Sequence, residues 1–181
     1  MNIDQAYDFY KNYICNKQKF DLYKKHGFSI NGVVSSYDWE LFAAILLGDE
    51  KKASGCDLKN YEIKSSCTPS GFEYQYHKNT GLKKLEEEIS CNHVFITYNN
   101  DYRDVSVRVA TGTSLSDKFL GWRSQLVENY QTEKQRFRKS ISFRHVCTIA
   151  ESILLIENRE LIYEKKVVYT TNDGCVITEK L

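Results

Sequence analysis

The chain has 181 residues, 41% of them hydrophobic and one of them proline, and its 25 basic and 24 acidic side chains leave a net charge of +1. That length suits one domain, residues 1–181, built on a single core, and the composition excludes a disordered or collagen-like chain. The start Met1-Asn2-Ile3-Asp4 is polar and no apolar run reaches the ~20 residues of a membrane span, so no signal peptide, no membrane segment and a cytoplasmic location are expected.

Residues 4–26 predict one amphipathic helix, with Ala6, Phe9, Tyr10, Tyr13 and Ile14 on a common face. A second helix is bounded by Ser35-x-x-Asp38, a capping pattern, and by Gly48, a stop. Between Trp39 and Leu47 its only charge is Glu40. A helix apolar nearly all round is expected to be buried, and a carboxylate there needs a cation, either a metal or a neighbour such as Lys51 or Lys52.

Gly55-Cys56 then predicts a bend ahead of a short strand, Tyr61-Glu62-Ile63-Lys64-Ser65-Ser66. Alternate strand residues share a face, so Glu62, Lys64 and Ser66 project together, and the bend swings Asp57 toward the same point. Two carboxylates beside an ammonium suit Mg²⁺, a hard cation held by one or two carboxylates together with waters and substrate phosphates. Phe72-Glu-Tyr-Gln-Tyr-His77 follows a turn at 68–71 and alternates aromatic with polar residues. If this strand neighbours the first, its row of Glu73, Gln75 and His77 approaches the metal or a DNA backbone.

Thr80–Ile89 reads as a crossover helix with Leu82, Leu85 and Ile89 inward, and residues 92–98 and 104–110 read as strands separated by the turn-forming Asn99-Asn100-Asp101. The segment 36–110 is therefore expected to be an α/β core. From Leu115 to Arg144 seven basic side chains face three acidic ones, a surplus of four. Such a stripe supplies phosphate contacts. Arg123, Lys134, Gln135, Arg136, Arg138, Lys139 and Arg144 are the candidate DNA-contacting residues of a region 115–145. Residues 146–156 read as a buried helix, and the stretches flanking Asn172-Asp173-Gly174 read as a hairpin that closes a C-terminal region 146–181. The six cysteines form no C-x-x-C pair and are expected to be reduced, and the four histidines show no metal-ligand spacing.

Asp57-x4-Glu62-x-Lys64 resembles the core motif of the PD-(D/E)xK nuclease superfamily, with Cys56 where that family often has proline. The resemblance covers mainly residues 36–77. It implies a mixed β-sheet core flanked by helices, as in restriction endonucleases, and a Mg²⁺-dependent hydrolysis of phosphodiester bonds in double-stranded DNA. It implies a catalytic set of Asp57, Glu62, Lys64 and Glu40, with Asp57, Glu62 and Glu40 toward the metal and Ser66, Gln75 and His77 around them. A type II restriction enzyme acting on a palindrome would be a homodimer. A repair, junction-resolving or homing nuclease and a non-catalytic DNA-binding module are the alternative readings.

Overall fold

Residues 3–25 form three segments where one helix was expected: α1 (Ile3–Phe9), a π-helical turn (Tyr10–Ile14) and α2 (Lys17–Lys25). The break falls at Asn16, whose side chain accepts from Lys19 N at 2.8 Å and so starts a new helix. The computed structural model describes the whole chain except Pro69, Glu133, Lys165, residues 171–175 and residues 180–181, and from residue 163 onward it describes the backbone alone.

Helix α3 (Ser36–Leu47) is bounded as its sequence predicts. The Ser35 hydroxyl accepts from Asp38 N while the Asp38 carboxylate accepts from Ser35 N, and Gly48 closes the last turn at φ 66°. Its burial is one-sided, contrary to expectation: Trp39, Phe42, Ala43 and Leu46 are buried, but Tyr37 and Leu41 lie in solvent. Each large buried side chain contributes roughly 1.5–3 kcal/mol, which anchors α3 against the sheet and fixes where the following loop begins.

The remaining elements are β1 (Tyr61–Cys67), β2 (Phe72–His77), α4 (Gly81–Ser90), β3 (Asn92–Tyr98), β4 (Val105–Ala110), α5 (Gly112–Gln131), β5 (Arg136–Ile141), α6 (Phe143–Ile149), β6 (Glu151–Glu157), β7 (Glu160–Glu164), β8 (Lys166–Thr170) and β9 (Val176–Glu179). Five strands form a mixed sheet in the order β1-β3-β4-β6-β7, in which β1 is an edge strand running parallel to β3 and the other neighbours are antiparallel. The fold is thus mixed α/β, with a sheet flanked by helices.

Two layers cover the sheet. On one face Ile63, Val94, Ile96 and Val107 meet Ile3, Ala6 and Tyr10 and the buried stripe of α3. On the other, Phe95 and Ala110 meet Leu85 of α4, Leu115 and Phe119 of α5, and Phe72, Tyr74, Tyr76, Phe137 and Ile141. Those last five belong to a separate ribbon. β2 pairs with β5 in a two-stranded antiparallel sheet and does not join β1, which corrects the expectation that these two strands are neighbours in one sheet.

The C-terminal region departs further from its sequence pattern. The run 146–156 is divided at Ala150 into α6 and the interior strand β6, because Ile153, Leu154 and Ile156 fill the sheet's core. β6 turns into β7 through Asn158 and Arg159, both at positive φ (50° and 73°), the backbone twist that suits a two-residue hairpin. The expected strand 161–171 is split: β7 pairs with β6, and β8 pairs with β9. The Asn172–Gly174 turn lies outside the described residues. Among the described residues no helix is long and apolar enough to cross a membrane.

Candidate functional site

The motif residues converge on the ribbon-covered side of β1. Gly55 adopts φ 90°, a conformation open to glycine, and the resulting bend turns Asp57 back so that its Oδ2 accepts from Ile63 N at 2.9 Å. Glu62 is wholly buried, and its Oε1 accepts from Lys64 Nζ at 2.6 Å. Lys64 Nζ in turn stands 4.7 Å from the ring centre of Tyr74, on the underside of β2. The predicted sharing of one face by Glu62 and Lys64 is observed. Ser66 shares it too, but its hydroxyl donates to Gly71 O at 2.9 Å and so closes the turn between β1 and β2.

Three residues of this cluster were not singled out from the sequence. Lys84 of α4 reaches 3.4 Å from Glu62 Oε1 and 3.7 Å from Glu88 Oε1. Glu88 is buried on the inward stripe of α4 with Gly81 and Leu85, and its Oε2 accepts from the Tyr76 hydroxyl at 2.5 Å. His93 lies beside Glu62 in the β1–β3 register, and its Nε2 is 2.8 Å from the Glu88 carbonyl oxygen. A carbonyl can only accept, so Nε2 carries the proton and Nδ1 accepts from the Tyr74 hydroxyl at 2.9 Å. The signal for Glu88 was its place three residues after the inward Leu85.

Electrostatics separate the carboxyl groups. Burial opposes ionisation of Glu62, but Lys64 and Lys84 outweigh it and hold the group below the ordinary carboxylate range. Burial, reinforced by the Glu62 charge, raises Asp57 and pushes Glu88 up to about 7. Burial pushes His93 down to about 4, so it is neutral at pH 7. Glu62 Oε2 and Glu88 Oε1 are buried oxygens with no hydrogen-bond partner among the described residues.

Glu40 was expected to need a cation, and it has one: its carboxylate pairs with Lys51. Among the described residues no group of three or more His, Cys, Asp or Glu side chains is gathered as a metal-binding set. The donors that fit Mg²⁺ are therefore a pair, Asp57 and Glu62, of which Glu62 Oε2 is the unpartnered hard oxygen.

Gln75 and His77 do not reach the cluster. They lie on the opposite face of β2 from Tyr74 and Tyr76, with Gln75 Nε2 3.2 Å from His77 Nε2, because side-chain direction alternates along the strand. The basic residues are spread over three elements. Arg123 of α5 pairs with Glu86 at 3.5 Å, Lys134 and Gln135 precede β5, Arg136, Arg138 and Lys139 lie on β5, and Arg144 is on α6. Lys139 faces inward with its Nζ 5.4 Å from the Phe137 ring, whereas Arg136 and Arg138 are exposed.

The cysteines correct another expectation. Cys56 and Cys91, 35 positions apart, form a disulfide because the crossover helix returns the chain to the start of β1. The bridge joins the residue before Asp57 to the residue before β3. Cys15, Cys67 and Cys147 are free, and Cys175 lies outside the described residues. No protein-family model matches the chain, and no curated protein matches its sequence.

Proposed function

We propose that the chain is a Mg²⁺-dependent endodeoxyribonuclease that hydrolyses phosphodiester bonds in double-stranded DNA, acting in the cytoplasm as a homodimeric type II restriction endonuclease. The observation that carries this reading is the clustering of Asp57, Glu62 and Lys64, with one buried Glu62 oxygen left unpartnered. Asp57 and Glu62 would hold the metal; Glu40 would join them only by leaving Lys51. Bound there, Mg²⁺ would lower the pKa of a coordinated water and stabilise charge on the phosphate.

The chain's own residues supply the rest. Lys64 Nζ is held between Glu62 Oε1 and the Tyr74 ring, a fixed position from which an ammonium can orient the attacking water. Lys84 brings a second ammonium to Glu62 and also faces Glu88. Water oxygen bonds to phosphorus as the bond from phosphorus to the 3′ oxygen breaks, leaving a 5′-phosphate and a 3′-hydroxyl. Asp57, Lys64 and Lys84 are the partly exposed members of the cluster, so the phosphate would approach on their side.

A second reading, a non-catalytic DNA-binding module, is favoured by the complete burial of Glu62 between two ammonium groups, as in a structural ion-pair network. One experiment separates the two. Purified protein is incubated with phage and plasmid DNA, with Mg²⁺ or with EDTA, beside Asp57→Ala. Discrete metal-dependent fragments lost in the variant support the restriction nuclease. Cutting confined to branched DNA indicates a junction or repair enzyme, and intact DNA throughout with retained binding supports the module.

A further inference from the structure

The β2–β5 ribbon has two unlike faces. Its inner face is the apolar layer over the sheet, with Tyr74 and Tyr76 reaching down to the acidic cluster. Its outer face is polar throughout: Glu73, Gln75 and His77 from β2 stand in register against Ser140, Arg138 and Arg136 from β5. Directly opposite side chains in such a pair are about 4.5–5.5 Å apart at Cβ, so Gln75 with Arg138 and His77 with Arg136 form two adjacent pairs rich in hydrogen-bonding groups. Within the chain Gln75 Nε2 lies 3.2 Å from His77 Nε2, whereas the two arginines are held only loosely. Arg138 has only an exposed 3.8 Å approach to Glu73, and Arg136 has no ion pair among the described residues.

The end of the ribbon is cationic. Lys78 N donates to Gln135 O at 3.0 Å, which brings Lys78 beside the Lys134-Gln135 segment. A twisted two-stranded ribbon fits the major groove of B-DNA, where arginine pairs bidentately with guanine and glutamine with adenine. Lysines at its end meet the flanking phosphates. Tyr74, on the inner face of the same strand, stands over Lys64, so the ribbon that carries this polar face also covers the candidate catalytic residues.

We infer that the outer face of the β2–β5 ribbon is the sequence-reading surface of this protein: Gln75, His77, Arg136 and Arg138 contact base edges in the major groove of duplex DNA, and Lys78 and Lys134 contact phosphates. This rests on the reading above that the chain acts on double-stranded DNA. It moves Gln75 and His77 from the vicinity of the metal to the recognition of sequence, and it separates the two exposed β5 arginines from the inward Lys139.

The test uses the full chain and a randomised 30-bp duplex pool, with Ca²⁺ replacing Mg²⁺ so that bound DNA is held, followed by sequencing of the retained fraction. The native protein should enrich a short motif. Gln75→Ala and Arg138→Ala should each lose roughly 5- to 100-fold of the preference at one position, with bulk duplex affinity changed by less than about 3-fold. Lys78→Ala and Lys134→Ala should weaken all sequences alike and lower the salt slope by about one each. Melting curves check that these exposed substitutions leave the fold intact.

A native protein that enriches no motif, or Gln75→Ala and Arg138→Ala variants that enrich the native motif undiminished, would overturn the inference. So would equal affinity for single-stranded RNA of the same length. A parallel Mg²⁺ cleavage assay keeps the two proposals apart. Native cutting with unchanged motifs in the variants removes the ribbon assignment and leaves the nuclease, whereas flattened motifs without any cutting remove the nuclease and leave the ribbon.

Discussion

Lys84 Nζ lies 3.4 Å from Glu62 Oε1, so the crossover helix α4 returns an ammonium to the carboxylate of β1. Glu62 has no exposure to water, and removing one partner of a buried pair leaves a charge uncompensated. Lys84 is about one-third exposed, so solvent recovers part of that loss. Lys84→Met, which keeps the length of the stem, is expected to destabilise the protein by about 1–3 kcal/mol. The double variant Glu62→Gln/Lys84→Met should cost less than the two single losses added together. Urea midpoints measure all three, and strict additivity would show that the contact carries no energy.

Glu88 gives the pH dependence a definite sign. Its carboxyl is pushed up to about 7 by burial and by the Glu62 charge, so the folded protein holds this proton more tightly than the unfolded chain does. The stabilisation is fully present below the ordinary value near 4.5 and is lost as pH rises through about 7. His93, pushed down to about 4, works in the opposite direction below its ordinary value of 6.5 and masks part of the trend there. Glu88→Gln, which cannot ionise, should therefore gain stability relative to the native protein between pH 5 and pH 8, by on the order of 3 kcal/mol. Parallel curves for the two proteins in urea titrations at the two pH values would contradict this account.

The boundaries of α3 were legible because Ser35, Asp38 and Gly48 each act locally, through a cap or a backbone conformation. The shared face of Glu62 and Lys64 was legible because strand periodicity is local too. What failed depends on distant contacts. Arg136-Phe-Arg-Lys-Ser-Ile141 carries only Phe137 and Ile141 as apolar positions, and it becomes a strand by pairing with β2 across more than fifty residues. The short apolar run Ile153–Ile156 fits either period, and burial between β4 and β7 decides for a strand. Lys84 and Glu88 look like an ordinary surface pair at helical spacing until α4 is seen to press that side onto Glu62.

The Cys56–Cys91 bridge closes a loop that contains β1, β2 and α4. Cross-links of this span typically stabilise by about 2–4 kcal/mol through restriction of the unfolded chain. Cys56→Ser/Cys91→Ser, or reduction by dithiothreitol, should lower the melting temperature by roughly 5–15 °C for a chain of this size. Because Cys56 precedes Asp57, the reduced protein should also be digested faster by protease within residues 51–60. Unchanged melting on reduction, with thiol titration finding every cysteine free beforehand, would refute the bridge. This bears on the proposed cytoplasmic location, since disulfides are rare in reducing compartments and the burial of both Cys56 and Cys91 is what would shield this one.

Gly55 tests whether the bend, rather than the motif residues alone, makes the site. It sits at φ 90°, and a Cβ there would come 3.0 Å from Glu87 Oε2. Alanine is strained at such a φ, at a cost of about 1–2 kcal/mol. The chain can relieve that strain only by unwinding the bend that aims Asp57 at Ile63 N. Gly55→Ala is accordingly expected to lower stability by this amount and, for a nuclease, to reduce cleavage by about tenfold or more with DNA binding retained, since a misplacement of about 1 Å can cost a hundredfold in rate. Asn tolerates positive φ better than Ala, so Gly55→Asn should fall between Ala and the native residue in both readouts. Urea unfolding and single-turnover cleavage measure the two effects. Lost stability with undiminished cleavage would mean that Asp57 is held by its hydrogen bond to β1 and not by the bend.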